Sequence, residues 1–138
     1  MASSLTELVV RIILIDSAST SGERQHSIKM ILTLSFPTPI DFVFDYINKR
    51  LALALDFEGH PELVEYLKTL DCQKALQVVG GRFGRAESGE LATSEWSGHY
   101  GEAWNNSIRD CFKEFMRDCD IHIRHREWYA HQTSDQVG

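Results

Sequence analysis

The sequence predicts an α+β fold in which a small mixed or antiparallel sheet packs against about three helices. Of the 138 residues, 43% are hydrophobic and 25% are charged, which is the composition of an ordinary globular domain. Segments with a two-residue hydrophobic period and segments with a helical period follow one another without the strict alternation of a doubly wound fold. We therefore expect residues 1–138 to form a single domain, with a frayed C-terminal tail over residues 129–138.

The first third of the chain is predicted to form two strands separated by a loop. Residues 8–15 are rich in β-branched side chains and are apolar on both faces except at Arg11, which indicates an interior strand. The polar, serine-rich residues 16–27 predict a mobile loop. Apolar and polar side chains then alternate as in a half-buried strand, whose apolar members are Ile28, Met30, Leu32, Leu34 and Phe36.

Two helices are predicted next. Pro39 suits the first turn of a helix and Asp41 suits its positive N-terminus, so the first helix is predicted to run from residue 39 towards Gly59. Its apolar stripe at helical spacing consists of Ile40, Val43, Phe44, Ile47, Leu51, Ala54 and Leu55. His60 and Pro61 begin the second helix, whose predicted inward-facing residues are Leu63, Tyr66, Leu67 and Leu70.

The second half of the chain is predicted to contain a hairpin, a helix and a basic strand. Residues 75–79 predict a brief strand, and residues 82–86 and 90–93 predict a hairpin. Asn105 or Asn106 is expected to cap a third helix. The apolar stripe of this helix consists of Ile108, Cys111, Phe112, Phe115 and Cys119, with Met116 beside it. Residues 121–124 then alternate as in a strand with one basic face.

Charge and cysteine content argue against several classes of protein. A net charge of -6 and a pI near 5.4 disfavour a general nucleic-acid-binding surface, although a local basic patch is compatible with them. Three cysteines without paired spacing indicate a reduced compartment rather than a disulfide framework or a zinc site. The longest apolar run is too short to span a bilayer and residues 1–6 lack the features of a signal peptide, so we expect a cytoplasmic protein with no membrane anchor.

The most concentrated polar chemistry lies at Ser97, Gly98, His99 and Tyr100. Glycine lets the backbone approach a ligand closely, while the hydroxyl, imidazole and phenol could bind a phosphate or act as acid and base near neutral pH. The alternative is a structural turn in which His99 bonds a carbonyl and Tyr100 fills a pocket. The preceding Trp96 either stacks on a ring-shaped ligand or base, or closes the core.

A basic group follows at His122, Arg124 and Arg126, which share one face of the predicted strand. Two guanidiniums beside an imidazole suit a phosphate-binding or RNA-cleaving site, because arginine holds the phosphate while histidine moves the proton. The alternative is a solvated edge strand that its charges keep from aggregating. His125 lies on the opposite face and is expected to be a core histidine.

Three further signals have structural interpretations. The glycine-rich residues 80–85 match no phosphate-binding motif and favour a hairpin. Glu87, Glu90 and Glu95 are expected to be surface charges of that hairpin, although one of them could supply the carboxylate of a glycosyl- or ADP-ribosyl-transfer site. Trp104 is expected to close the core beneath the third helix.

Residues 89–125 resemble a module near the C-terminal end of bacterial polymorphic toxins, the modular effectors delivered between competing cells, and are similar to part of plant IQ-motif calmodulin-binding proteins. The matching residues, in about a quarter of the chain, are Gly89, Ser97, Gly98, His99 and Tyr100, followed by Trp104, Phe112 and Phe115. The resemblance implies an effector delivered into a target cell's cytoplasm as part of a larger protein. It also implies ADP-ribosyltransferase-like or ribonuclease activity, and a cognate immunity protein. No cofactor is expected, and NAD would enter only as the substrate of a transferase.

The predicted catalytic residues are His99, Tyr100, Ser97 and His122, and the predicted substrate-binding residues are Arg124, Arg126, Trp96 and Gly98. No metal ligands are predicted. The competing interpretation is a non-catalytic binding module, such as an immunity or adaptor protein whose acidic charge suits a basic effector partner. A homodimer formed through the edge of the second strand is a third alternative.

Overall fold

The computed structural model describes residues 12–36, 38–55, 59–70, 76–96 and 103–127. Within these ranges, six strands and three helices follow one another in the order β1 (Ile12–Asp16), α1 (Ser21–Thr33), β2 (Ile40–Asp45), β3 (Arg50–Ala54), α2 (His60–Leu70), β4 (Val78–Arg85), β5 (Leu91–Ser94), α3 (Asn106–Asp118) and β6 (Ile123–Arg126). The strands form one mixed sheet. The predicted α+β class, with a mixed sheet packed against three helices, is confirmed.

The strand order of the sheet is β1-β3-β2-β4-β5-β6. Neighbouring strands are antiparallel except β5 and β6, which are parallel and are connected through α3. A parallel pair needs such a crossover, because a tight turn can join only antiparallel strands. Because β5 and β6 are parallel, their C-terminal ends point in the same direction, towards the start of α3.

Helices cover the two faces of the sheet unequally. On one face, α1 and α3 bury the larger core, where Phe42 stacks on Phe112 with ring centroids 5.3 Å apart. On the other face, α2 buries Leu63 and Leu67 against Val43 and neighbouring residues of β2 and β3. Because α2 lies over the β2–β3 half of the sheet, the β4–β5–β6 half of that face carries no helix within the described ranges.

The prediction of one helix from residue 39 towards Gly59 is wrong, because this segment contains the β2–β3 hairpin. Asp45 organises the turn: its carboxylate accepts the backbone N–H groups of Ile47 and Asn48 and pairs with Arg50 at 2.7 Å. All five residues of β3 are buried, since strands lie on both sides and helices on both faces. A strand that is buried on both faces does not alternate apolar and polar residues. The continuous apolar run of β3 was therefore also compatible with the apolar stripe of a helix.

The predictions for residues 16–36 are also wrong. The expected loop over residues 16–27 ends at Thr20, and the expected strand from Ile28 to Phe36 lies mostly within α1. The hydroxyl of Thr20 accepts the backbone N–H of Glu23, whose carboxylate accepts the N–H of Thr20, and this reciprocal capping box starts the helix. The buried residues Ile28 and Ile31 follow the helical spacing of i and i+3.

Several other predicted elements are confirmed. α2 begins at His60, the β4–β5 hairpin encloses the predicted turn, and Asn105 caps α3 by accepting the N–H of Ile108 at 2.8 Å. The glycine-rich segment is part of β4, where a Cβ at Gly81 would lie 2.8 Å from the ring of Phe42 and against the Ser94 carbonyl.

Of the predicted first strand, only Ile12 onward is described. No helix among the described residues has the length and apolarity needed to cross a bilayer.

Candidate active site: a basic cleft on the open sheet face

The β4–β5–β6 half of the sheet carries three arginines on the face opposite α1 and α3. Strand pairing places Arg82 of β4 opposite Ser94 of β5, and Ser94 opposite Arg126 of β6. The next row contains Gly84, Ala92 and Arg124, in the same order across the strands. Paired residues project from the same face of a sheet, so Arg82, Arg124 and Arg126 lie together.

These arginines line a cleft of about 510 Å³. The small side chains of Gly84 and Ala92 form part of its floor, and Pro39 also lines it. Trp96 lines it beyond the C-terminal end of β5 and keeps 40% of its surface exposed. A volume of this size is within the range of clefts that bind small molecules or segments of a polymer.

Electrostatic balance in the cleft is positive. Arg82 faces Asp41 at 3.6 Å and Arg124 faces Glu90 at 3.3 Å. The guanidinium of Arg126 has no carboxylate partner within the described part of the chain. Three guanidiniums therefore face two carboxylates, both at distances longer than an ideal charge-assisted hydrogen bond, and the arginines remain able to bind an anion.

Arg85 also borders the cleft but has a structural role. Its Nε donates to the carbonyl of Leu34 at 2.8 Å and its Nη2 donates to the carbonyl of Leu32 at 2.7 Å. These carbonyls are at the C-terminal end of α1, where the helix leaves acceptors unpaired. The Arg85 side chain therefore joins α1 to β4 and is not counted among the anion-binding groups.

A buried polar network lies on the opposite face of the same strands, beneath α3. The guanidinium of Arg109 donates from Nε and Nη2 to the two carboxylate oxygens of Glu95 at 2.6 and 2.8 Å. Nε2 of His125 faces the same carboxylate at 2.8 Å, to which it donates, and Nδ1 of His125 lies within hydrogen-bond distance of the hydroxyl of Thr93, at 2.7 Å. The network joins β5, β6 and α3.

The buried position of this network suits it to stabilising the fold and not to contacting a substrate. Glu95 is 0% exposed, and the imidazole of His125 packs 5.0 Å from the ring of Trp104. The hydrogen bonds from Arg109 to Glu95 raise the pKa of the guanidinium, which stays charged across the neutral range. Since both nitrogens of His125 are engaged, the side chain has no ring nitrogen left for proton transfer to a ligand. No three His, Cys, Asp or Glu side chains in the described ranges gather as metal ligands would.

Comparison with known protein families shows which family the chain belongs to. The profile of the family described as Bacterial toxin 43 (Ntox43) matches residues 19–111, about two-thirds of the chain. The protein belongs to the bacterial toxin 43 family. Searches of curated proteins and of solved structures gave no significant match.

The matched region of the bacterial toxin 43 domain spans α1 to the middle of α3 and includes both Arg82 and Trp96 of the cleft. Arg124 and Arg126 lie beyond it, on β6. The family supports the general prediction of a toxin-like effector. The particular resemblance based on Ser97 to Tyr100, and the likeness to IQ-motif proteins, stay predictions.

The structure places four of the predicted site residues of this bacterial toxin 43 domain, in two locations. Trp96, Arg124 and Arg126 come together in the cleft. His122 precedes β6, is exposed, and pairs with Asp120 at 3.5 Å. Because β5 and β6 are parallel, His122 lies at the opposite end of the strands from Trp96. The four remaining residues, Ser97, Gly98, His99 and Tyr100, lie outside the described residues.

Sequence reasoning missed two important residues. Arg82 was assigned only to a hairpin, and its place in the cleft follows from the pairing of β4 with β5 and β6. Glu95 was expected to be a surface charge of that hairpin, which is wrong because it is fully buried against Arg109. The expectation that His125 and Trp104 lie in the core is confirmed.

Proposed function

We propose that this bacterial toxin 43 domain is a ribonuclease effector whose substrate lies in the basic cleft. The observation that carries the proposal is the convergence of Arg82, Arg124, Arg126 and Trp96 on one open surface. Arginine binds phosphate oxygens through paired N–H donors, and an exposed tryptophan offers a face on which a base can stack. The net charge of -6 does not oppose this proposal, because the cleft is locally basic.

The chemical step is assigned to His99 and Tyr100, and the predicted catalytic residue Ser97 takes no part in it. His99 is three residues from Trp96 in the sequence, and a peptide chain spans at most roughly 11 Å over three residues. In the proposed reaction, His99 removes the proton from a ribose 2′-hydroxyl, and the 2′-oxygen attacks the adjacent phosphorus. The bond to the 5′-oxygen breaks and Tyr100 protonates that oxygen, leaving a 2′,3′-cyclic phosphate and a 5′-hydroxyl end. The arginines stabilise the charge that builds up on the phosphate.

We favour ribonuclease activity over ADP-ribosyl transfer because Glu95, one of the carboxylates expected to serve a transferase, is inaccessible to a substrate. A transferase needs a carboxylate beside the oxocarbenium-like carbon of its substrate. Glu95 cannot supply it, since its oxygens bind Arg109 and His125 and its surface is fully buried. Glu90 lies beside the hairpin turn and faces Arg124.

A toxin of this kind requires a partner that protects the cell producing it. We propose a cognate immunity protein that presents acidic side chains to the cleft and competes with RNA for the arginines. Opposite charges would also accelerate the association of the two proteins. The activity would take place in the cytoplasm of the target cell, where RNA is accessible.

The variant His99→Ala tests the proposal. The purified parent protein should cleave an RNA oligonucleotide to products with 2′,3′-cyclic phosphate ends, and His99→Ala should lower the rate by at least about 100-fold, because acid–base catalysis contributes that much. His26→Ala, on the exposed surface of α1, is the matched control and should cleave at the parent rate. The proposal is wrong if the parent leaves RNA intact or if His99→Ala cleaves at the parent rate. In cells, induction of the parent protein or of His26→Ala should inhibit growth, and induction of His99→Ala should inhibit growth much less.

A further inference from the structure

Trp96 packs against Arg82 at the end of the cleft. The guanidinium carbon of Arg82 lies over its ring, 4.1 Å from the ring centroid. Such cation–π contact is favourable and orients the two side chains against each other. With 40% of its surface exposed, Trp96 is one of the few large apolar side chains that the described residues leave accessible to a ligand.

Arg82 is itself anchored from the side of α2. Asp41 lies 3.6 Å from Nε of Arg82 and 3.6 Å from Nδ1 of His60. His60 is buried, and its Nε2 bonds the carbonyl of Gly81 at 2.8 Å. A chain of polar contacts therefore runs from the start of α2 to the ring of Trp96. A side chain ordered before binding loses less conformational entropy when a ligand arrives.

We propose that the face of Trp96 opposite Arg82 is the base-stacking platform of a site for single-stranded RNA, with the phosphates of the strand along Arg124 and Arg126. This inference rests on the proposed function and adds the substrate class. In a duplex, both faces of every internal base are covered by its neighbours, so an internal base must be unpaired before it can stack on a protein ring. Aromatic stacking beside a basic groove is the general way in which proteins hold single strands.

Binding to a non-cleavable ligand tests the inference separately from catalysis. A fluorescently labelled 2′-O-methyl RNA octamer lacks the nucleophilic hydroxyl, and its affinity can be measured by fluorescence anisotropy. Trp96→Ala should weaken binding by about 5- to 150-fold, the range expected from loss of one stacked base. Trp96→Phe keeps a ring and should lose less. Ile47→Ala, which removes another exposed apolar side chain outside the cleft, should bind as the parent does.

The outcomes distinguish this inference from the proposed function. The parent should bind the single strand at least 10-fold more tightly than the same sequence in a duplex. If the parent cleaves RNA but Trp96→Ala binds the octamer as tightly as the parent, or if the duplex binds equally well, the stacking site is overturned and the ribonuclease remains. If the parent neither binds nor cleaves any RNA, both are overturned. Thermal unfolding monitored by circular dichroism verifies that each variant is folded.

Discussion

Replacement of Glu95 by Gln is expected to lower the free energy of unfolding by about 3–5 kcal/mol, the cost of leaving one charge of a buried ion pair without its partner. Gln keeps the shape of Glu but leaves the guanidinium of Arg109, which is 7% exposed, with only the more distant Glu127 as a carboxylate partner among the described residues, 3.9 Å away and 45% exposed. The substitution also removes the charged acceptor of His125. Because these contacts connect β5, β6 and α3, the loss should be global and should appear as a lower midpoint of urea denaturation with an unchanged slope.

Glu90→Gln is the matched control for this prediction. Its ion pair with Arg124 is exposed at both ends, and pairs of that kind contribute at most about 1 kcal/mol. The double variant Glu95→Gln with Arg109→Met should recover part of the stability, since it removes both buried charges. A loss below about 1 kcal/mol for Glu95→Gln would mean that the network does not hold the strands and α3 together.

The double variant Arg124→Gln with Arg126→Gln is expected to cleave RNA about 1000-fold more slowly at low substrate concentration. A hydrogen bond to a charged group contributes about 2 kcal/mol, and two such losses correspond to three orders of magnitude. Binding of the 2′-O-methyl octamer should weaken as well, and its dependence on salt should become shallower, because fewer counterions are released from the RNA.

Lys113→Gln with Arg117→Gln provides the control of equal charge. Both residues are exposed on α3, on the other face of the sheet, so the net charge changes equally while the cleft stays intact. This control should retain nearly all of the cleavage rate. Equal losses in the two double variants would show that overall charge, rather than the cleft, attracts RNA.

Sequence-based prediction succeeded mainly where the residues that determine an element lie within that element or next to it. The hairpin after β4 and the cap at Asn105 were predicted correctly, because turn residues and helix caps act within a few residues of themselves. The start of α1 was also encoded locally, by the capping box of Thr20 and Glu23, but the alternating apolar residues that follow outweighed it. The error in β3 has another cause: burial on both faces removes the alternation that identifies a strand.

The candidate site was predictable only in part. Arg124 and Arg126 share a face because they are two residues apart on one strand, and this periodicity is visible in the sequence. Their proximity to Arg82 depends on which strands pair, a long-range property that no local pattern contains. The burial of Glu95 likewise depends on Arg109, which the fold brings from the next helix.

The most direct test of the cleft as an RNA site is to map the bound strand by NMR. Titration of the isotope-labelled protein with the 2′-O-methyl octamer should shift the indole Nε1–H signal of Trp96 and the Nε–H signals of Arg82, Arg124 and Arg126. The indole of Trp104, buried and bonded to the carbonyl of Gly80 at 2.8 Å, should shift far less. Shifts confined to α1 or to the exposed face of α3, with the cleft signals unchanged, would contradict the account.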